Sequence, residues 1–428
     1  MKLDVRSICE AVNGKAHNVF GSINFAGVSI DSREDINGKI FIPLKGKNHD
    51  GHDFLESAFN KGAILFSEIE IGLPHIKVDC TSEALKALAK YYLSLFNIPV
   101  IGITGSVGKT TTKDLIASVL SQKFNTVKTQ GNFNNEIGMP LTIFNVTEKT
   151  EVLVLEMGMN HLGEIHELAY IARPNIAIIT NIGEAHIEFL GSKENIKKAK
   201  TEILDFNPKH VILNGDDPML QNIENADYYY MSNAENIKHN GLFGTAAILN
   251  LNGKSFSIVI PVAGNYMVSN AIIAAKTGFL LGLSIEEIQK GIYEFESSAD
   301  RMKVVKFGNL IVINDTYNAS PSSVKAVLEL LKEQEGEKVA ILGDMFELGE
   351  FAEEYHKEVG EFALNIVDEL YTIGELAKYY GGSHFETKED FVTSEEFKHL
   401  KSKEAFVLLK ASRGMKFEQI CDLFSKSQ

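Results

Sequence analysis

Val100-Ile-Gly-Ile-Thr-Gly-Ser-Val-Gly-Lys-Thr110 runs from a short apolar segment through a glycine-rich turn to a Lys-Thr pair, and its reading decides the fold. The run 100–103 predicts a strand. The segment from Thr110, apolar at Leu115, Ile116, Val119 and Leu120, predicts a helix with one face on a sheet. Between strand and helix, glycines let backbone N–H groups turn inward around phosphate oxygens. Thr104, Gly105, Ser106, Val107, Gly108, Lys109, Thr110 and Thr111 are therefore the candidate nucleotide-phosphate residues. Lys109 adds a mobile positive charge, and the Thr110 hydroxyl suits a magnesium shell. A glycine turn without a ligand would leave that Lys-Thr pair idle. One departure stands out: strict Walker spacing puts a glycine at 103, where the chain has Ile103, and the glycine falls at 105 instead.

Working outward, the apolar runs 152–155, 176–179 and 211–213 alternate with helical segments. Continuous runs of this kind suit strands buried on both faces of a parallel sheet. From about Ser297 the runs 310–313, 339–342, 370–373 and 406–409 repeat the alternation, which predicts a second doubly wound α/β domain. Before Pro99, the short strand-like runs 27–30, 38–42 and 63–66 lie among turn residues, followed by a helical stretch over 82–96. The expected fold class is α/β in three domains: a small N-terminal α/β domain over 1–81, a central P-loop parallel-sheet domain over 82–297 and a C-terminal Rossmann-like domain over 298–428.

A chain of 428 residues is too long for one ordinary core, which agrees with that division. The formal charge of -15 argues against a general nucleic-acid binder. It does not exclude an anionic substrate, because local N–H groups and one lysine outweigh distant acids. Cys9, Cys80 and Cys421 are scattered and offer neither a disulfide framework nor a zinc spacing, which fits a reducing compartment. The N-terminus lacks an apolar signal core and no run of about 18 apolar residues occurs, so no membrane span is expected and the cytoplasm is the expected location.

Glu156 ends the run 152–155, at the carboxyl edge of a strand beside the loop, where open α/β sheets bind ligands. A carboxylate there suits the cation that bridges nucleotide phosphates, although a plain exposed strand-end acid fits equally well. Asn181 and His186 follow the run ending at Thr180, where a structural histidine is the commoner outcome. Lys200, taken alone, reads as part of a solvated helix face with Lys197 and Lys198.

Together these pieces resemble the Mur ligase family of ATP-dependent amide-forming enzymes in peptidoglycan synthesis. The likeness rests on Thr104 to Thr110, on Glu156 in Glu-Met-Gly, on Thr180-Asn-Ile with His186, and on Ala199-Lys200-x-Glu202. Asn270-Ala, Arg301 and Asp315-x-Tyr-Asn318 continue it, so it covers nearly the whole chain. The branch it most resembles adds D-alanyl-D-alanine to UDP-N-acetylmuramoyl-tripeptide. Its markers here are Asp31-Ser-Arg33, Phe41-Ile-Pro-Leu-Lys-Gly46, Asp50-Gly-His52, the asparagine-rich segment 131–140, Leu342 to Gly349 with His356, and Lys410-Ala-Ser-Arg413. Three places depart from the family pattern: Ser320 in Asn318-Ala-Ser-Pro321, Tyr266-Met267 where His-Asn is common, and Asp300 before Arg301.

The resemblance implies that ATP phosphorylates the tripeptide carboxylate and that the dipeptide's amine then displaces phosphate. It implies Lys109, Glu156, His186 and Lys200 as the catalytic set, with Thr110, Glu156, His186 and Lys200 serving Mg2+. Lys200 would act after carbamylation, since an ammonium cannot ligate a cation. Asn270, Arg301 and Asp315 would hold adenine and ribose. Ser32 and Arg33 would take the UDP moiety, Asn132, Asn134 and Asn135 the peptide arm, and Asn318, Ser412 and Arg413 the dipeptide end. A monomer that closes its domains over the reaction is expected. Rival readings are another carboxylate–amine ligase, such as a folylpolyglutamate synthetase, and a P-loop ATPase that turns ATP over without an acceptor.

Overall fold

The structure, a computed structural model, describes residues 1–297 and 301–425. Asp300, one of the three departures, and residue 298, the expected start of the third domain, lie outside the described residues. The run that opened the sequence reading is the Val100–Thr104 strand, buried throughout, at the centre of a six-stranded parallel sheet. On one side lie Val152–Glu156 and then Thr126–Lys128; on the other lie Ile176–Ile179, His210–Asn214 and Asp227–Tyr229. Strand order therefore reverses at Val100–Thr104, and a crevice opens beyond its carboxyl end, where such sheets bind ligands. The Lys109–Leu120 helix leaves from that point and buries Leu115, Ile116, Val119 and Leu120.

The C-terminal sheet has the order Lys303–Phe307, Leu310–Asn314, Ala405–Lys410, Glu337–Gly343, Glu369–Ile373 and Ser383–Phe385. All pairings are parallel except the first. Its apolar runs serve two layers by period-2 alternation. Ile313, Ala340, Leu342 and Leu408 join one core cluster, while Val312, Val339, Ile341, Val407 and Leu409 pack on the other face with Phe391, Phe397 and Phe417.

The N-terminal domain is a five-stranded sheet with Lys15–His17 at one edge and Val28–Ser29 at the other. The Thr81–Ser94 helix ties it to the middle domain. Thr81 donates from its backbone N and its hydroxyl to Glu68 Oε1, both at 2.9 Å, while Tyr92 at the far end donates to Val146 O at 2.6 Å.

A three-stranded antiparallel sheet, Ala234–His239, Thr245–Leu251 and Lys254–Ile260, was not anticipated. Its signals are present in the sequence. Thr245–Leu251 and Lys254–Ile260 alternate buried with exposed residues, and Asn252-Gly253, both at positive φ, form the two-residue turn such hairpins favour. Among the described residues no helix is long and apolar enough to cross a membrane.

Candidate active site

The crevice beyond Val100–Thr104 is a cleft of about 790 Å³, walled by the middle and C-terminal domains. Its floor is the glycine loop, and the displaced glycine has a steric reason. At Gly105, φ is +146° and a Cβ would lie 1.9 Å from the Thr180 hydroxyl oxygen. That hydroxyl is needed where it is, because it donates to Val107 O at 2.7 Å. Asn181 completes the brace, with Nδ2 donating to Val107 O at 3.0 Å and Oδ1 accepting from Val107 N at 2.9 Å. Thr180 and Asn181 thus hold the loop's shape. Thr104, fully buried, lies below the lining with its hydroxyl unpartnered.

Two cations stand at the loop. Lys109 Nζ folds back on the loop's own carbonyls, 2.7 Å from Gly105 O and 3.4 Å from Ser106 O. Although Lys109 keeps some exposure to the cleft, loss of surrounding water lowers its pKa, opposed by Glu156 and reinforced by Arg301. Arg301 crosses from the C-terminal domain and donates to the Thr110 hydroxyl at 3.1 Å. Its guanidinium also lies 3.8 Å from the Tyr317 ring centroid, with Arg413 at 5.3 Å from the same ring. Tyr317 was missed in the sequence, since only the fold brings the two arginines to it.

Glu156 is only 2% exposed, so the exposed-acid reading of this strand end is corrected. The reason is local: it is the last residue of a central strand, covered by the asparagine-rich segment. Oε1 accepts from Asn134 Nδ2 at 2.8 Å, while Oε2 is buried with no partner. Lys200 corrects a second reading. In the Lys193–Thr201 helix, Ile196, Ala199 and Lys200 share the buried face, and Lys200 is 1% exposed rather than on a solvated surface. Its Nζ has no carboxylate partner among the described residues. Burial, with the nearby Lys109 charge, pushes its pKa well below the ordinary lysine value and favours the neutral amine.

His186 adopts φ +68° at the start of a short helix. Its Nδ1 lies 2.7 Å from Glu347 Oε2 without the alignment of a hydrogen bond. Burial lowers the His186 pKa against the opposing pull of Glu347. Glu347, from the C-terminal domain, also has positive φ, and its carbonyl accepts from Glu188 N at 3.2 Å.

The remaining predicted residues divide by place. Asn132, Asn134, Asn135, Asn270, Asp315 and Asn318 line the same cleft as Ser106 to Thr111, Glu156, His186 and Arg301. Several are already engaged. Asn135 Oδ1 accepts from Gly138 N at 2.8 Å, Asn270 Oδ1 from the Thr112 hydroxyl at 3.0 Å, and Asp315 pairs with Lys410. Lys410 also donates to Asn318 O at 3.0 Å. Ser32 and Arg33 sit apart on the N-terminal domain, Arg33 forked onto Asp31 at 2.6 and 2.8 Å. Ser412 lies off the lining, its hydroxyl accepting from Phe346 N at 2.8 Å. Tyr266, at a point of departure from the family pattern, lines the cleft with its hydroxyl buried and unpartnered.

Comparisons with known proteins agree along the length of the chain. The Mur ligase middle domain profile matches residues 103–278. The profile described as Mur ligase, glutamate ligase domain matches residues 300–414. The UDP-N-acetylmuramoyl-tripeptide--D-alanyl-D-alanine ligase of Bacillus subtilis is 38% identical, with 98% of each chain covered. The enzyme of that name from Escherichia coli is 30% identical at the same coverage. Among solved structures, MurF from Acinetobacter baumannii superposes with a TM-score of 0.91 at 28% identity, covering 99% of both chains. The MurF ligase of Thermotoga maritima, solved in complex with ADP, gives a TM-score of 0.86 at 30% identity, covering 94% of this chain and 97% of that one.

Proposed function

The chain belongs to the Mur ligase family, and we propose that its cleft joins D-alanyl-D-alanine to UDP-N-acetylmuramoyl-tripeptide with ATP in peptidoglycan precursor synthesis. The observation that carries the reading is the convergence on one cleft of a braced phosphate loop, a buried carboxylate with a free oxygen, and a cation from the next domain.

In the first step a carboxylate oxygen of the tripeptide attacks the γ-phosphorus of ATP. The bond to the β–γ bridging oxygen breaks, ADP leaves and an acyl phosphate forms. The amine of D-alanyl-D-alanine then attacks the acyl carbon, the C–O bond to phosphate breaks, and the nitrogen loses a proton. With little covalent work for the protein, catalysis is positioning and charge neutralisation. Lys109 leaves the carbonyls of Gly105 and Ser106 for the phosphates, joined by the inward N–H groups of Gly108 to Thr111. Arg301, held beside Tyr317, closes over them from the C-terminal domain together with Asn270 and Asp315. Asn134 orients Glu156 through its hydrogen bond. Ser32 and Arg33 take the UDP end, Asn132 and Asn135 the peptide arm, and Asn318 with Ser412 and Arg413 the dipeptide. All of these residues come from one chain, so the reaction would need no second copy, and the chain would act as a monomer in the cytoplasm.

The unpartnered Oε2 of Glu156 fits a hard cation. Thr110, Glu156, His186 and Lys200 would hold magnesium, which when bound neutralises charge on the transferring phosphoryl group. A lysine joins such a set only after its neutral amine takes up CO2, losing a proton to become a carbamate. Burial of Lys200 favours that neutral amine.

Phosphate release from ATP, measured with UDP-N-acetylmuramoyl-tripeptide and a panel of acceptors, tests the reading. Turnover should depend on D-alanyl-D-alanine. Preference for a single amino acid, or turnover indifferent to acceptor, would overturn it.

A further inference from the structure

The N-terminal sheet carries a cluster that the ligase chemistry does not use. His17 and His75 face each other across the register of the antiparallel pair Lys15–His17 and His75–Lys77, and Glu70 approaches both from the preceding loop. His75 is fully buried. Its Nδ1 lies 2.8 Å from Leu73 O, and a carbonyl only accepts, so Nδ1 carries a proton and, in the neutral tautomer, the lone pair is on Nε2. That Nε2 is buried with no partner, as is Nε2 of His17. Glu70 Oε2 stands 3.4 Å from His17 Nδ1 and 3.9 Å from His75 Nε2, and no hydrogen bond forms among the three. Three groups have been gathered, two of them with buried nitrogens, yet none completes another.

We propose that His17, Glu70 and His75 bind a zinc ion at the outer edge of the N-terminal sheet. Two imidazoles and one carboxylate, with a fourth position left to water, are a zinc donor set, whereas magnesium and calcium favour sets made mostly of oxygen. The spacing is close to what an ion needs. Bonds of about 2.0 Å to a tetrahedral ion put donors about 3.3 Å apart, and here all three donors lie within 4.8 Å of one another. His75 is fixed by burial and by its bond to Leu73 O, the outer-shell contact that sets the orientation of a ligating histidine. The movable members supply the rest. His17 and Glu70 keep side-chain exposures of 24% and 63%. The two rings stack 4.8 Å apart at 8°, so the His17 ring turns out of the stack to aim its lone pair.

The ion would pin the edge strand Lys15–His17, otherwise held by three residue pairs, to its neighbour and to the loop of Glu70. This edge lies opposite Val28–Ser29, the strand that leads to Ser32 and Arg33, so zinc would stiffen the sheet without entering the reaction.

The test is a titration of metal-free full-length protein with Co2+, whose visible bands are intense only in tetrahedral sites, followed by displacement with Zn2+. Saturable bands should appear in the native chain, weaken at least tenfold in affinity in Glu70→Gln, and vanish in His17→Gln. They should persist in His186→Gln, which alters only the cleft. Magnesium-dependent ligase activity in Glu70→Gln and His17→Gln verifies their fold. Should His17→Gln misfold, Glu70→Gln decides, because most of its side chain is in solvent. Absence of saturable bands in the native chain, or bands unchanged in the folded variants, overturns the proposal.

Discussion

Replacing Gly105 with alanine tests whether the loop's shape, rather than its charge, limits nucleotide use. The new Cβ would stand 1.9 Å from Thr180 Oγ1 and 3.1 Å from both Cβ and N of Thr180. The first distance is about 1.5 Å short of ordinary contact, and misplacement of reacting groups by about 1 Å costs about 100-fold in rate. Alanine at positive φ adds roughly 1–2 kcal/mol of backbone strain. Gly105→Ala should therefore lower kcat/KM for ATP by about 100-fold, measured by phosphate release at saturating tripeptide and dipeptide. Thr180→Ala alone loses its hydrogen bond to Val107 O, worth about 1 kcal/mol, or about fivefold. Combined, the changes should be less harmful than their product, because removing Oγ1 removes the closest clash. A recovery of about tenfold over Gly105→Ala is expected, limited by the Thr180 backbone that remains. Gly105→Ala within twofold of the native enzyme, or a double variant no faster than Gly105→Ala, would refute the steric account.

Lys200→Ala should be nearly inactive and regain turnover on addition of a short carboxylate such as formate; full activity of the bare variant would show that no carbamate is needed. Tyr266→Phe removes a buried hydroxyl with no partner, so thermal stability should hold or rise by about 1 kcal/mol. A clear loss of stability would mean that the hydroxyl is satisfied within the protein. His356 is fully buried, its Nε2 accepting from Met345 N at 3.0 Å and Nδ1 lying 2.6 Å from Ala352 O. Burial holds its pKa below the ordinary value of about 6.5. The unfolded chain therefore takes up the proton first as pH falls, and stability contributed above about pH 6.5 is lost below it. Urea unfolding should show the native chain losing about 1 kcal/mol more than His356→Gln between pH 7.5 and 5.5; equal losses would dismiss the effect.

The parts legible in the sequence share a property: one local pattern sufficed for each. Eight continuous apolar runs marked the parallel strands, and a glycine turn before Lys109 marked the site. Some residues were legible only through the family resemblance, and not from their own neighbourhood, because their setting depends on what the fold brings together. Lys200 looked solvated because Lys197 and Lys198 flank it, yet helical spacing from Ile196 turns it inward. Glu156 looked like an exposed strand end until the asparagine-rich segment was laid over it. The 234–260 sheet was legible by period 2 and by Asn252-Gly253, but continuous apolar runs elsewhere drew the reading toward parallel strands. Tyr317 and Glu347 stood inside recognised motifs but were given no role, because their partners come from other segments.

His186 and Glu347, neither of them glycine, meet across the domain boundary with both backbones in the left-handed region, at φ +68° and +63°. Such residues cost roughly 1–3 kcal/mol each unless their surroundings hold them. Two such backbones at one contact mean that the packing of both walls holds conformations neither residue would keep alone. The seam between the middle and C-terminal domains therefore rests on the fit of its surroundings as much as on the ion pair that spans it.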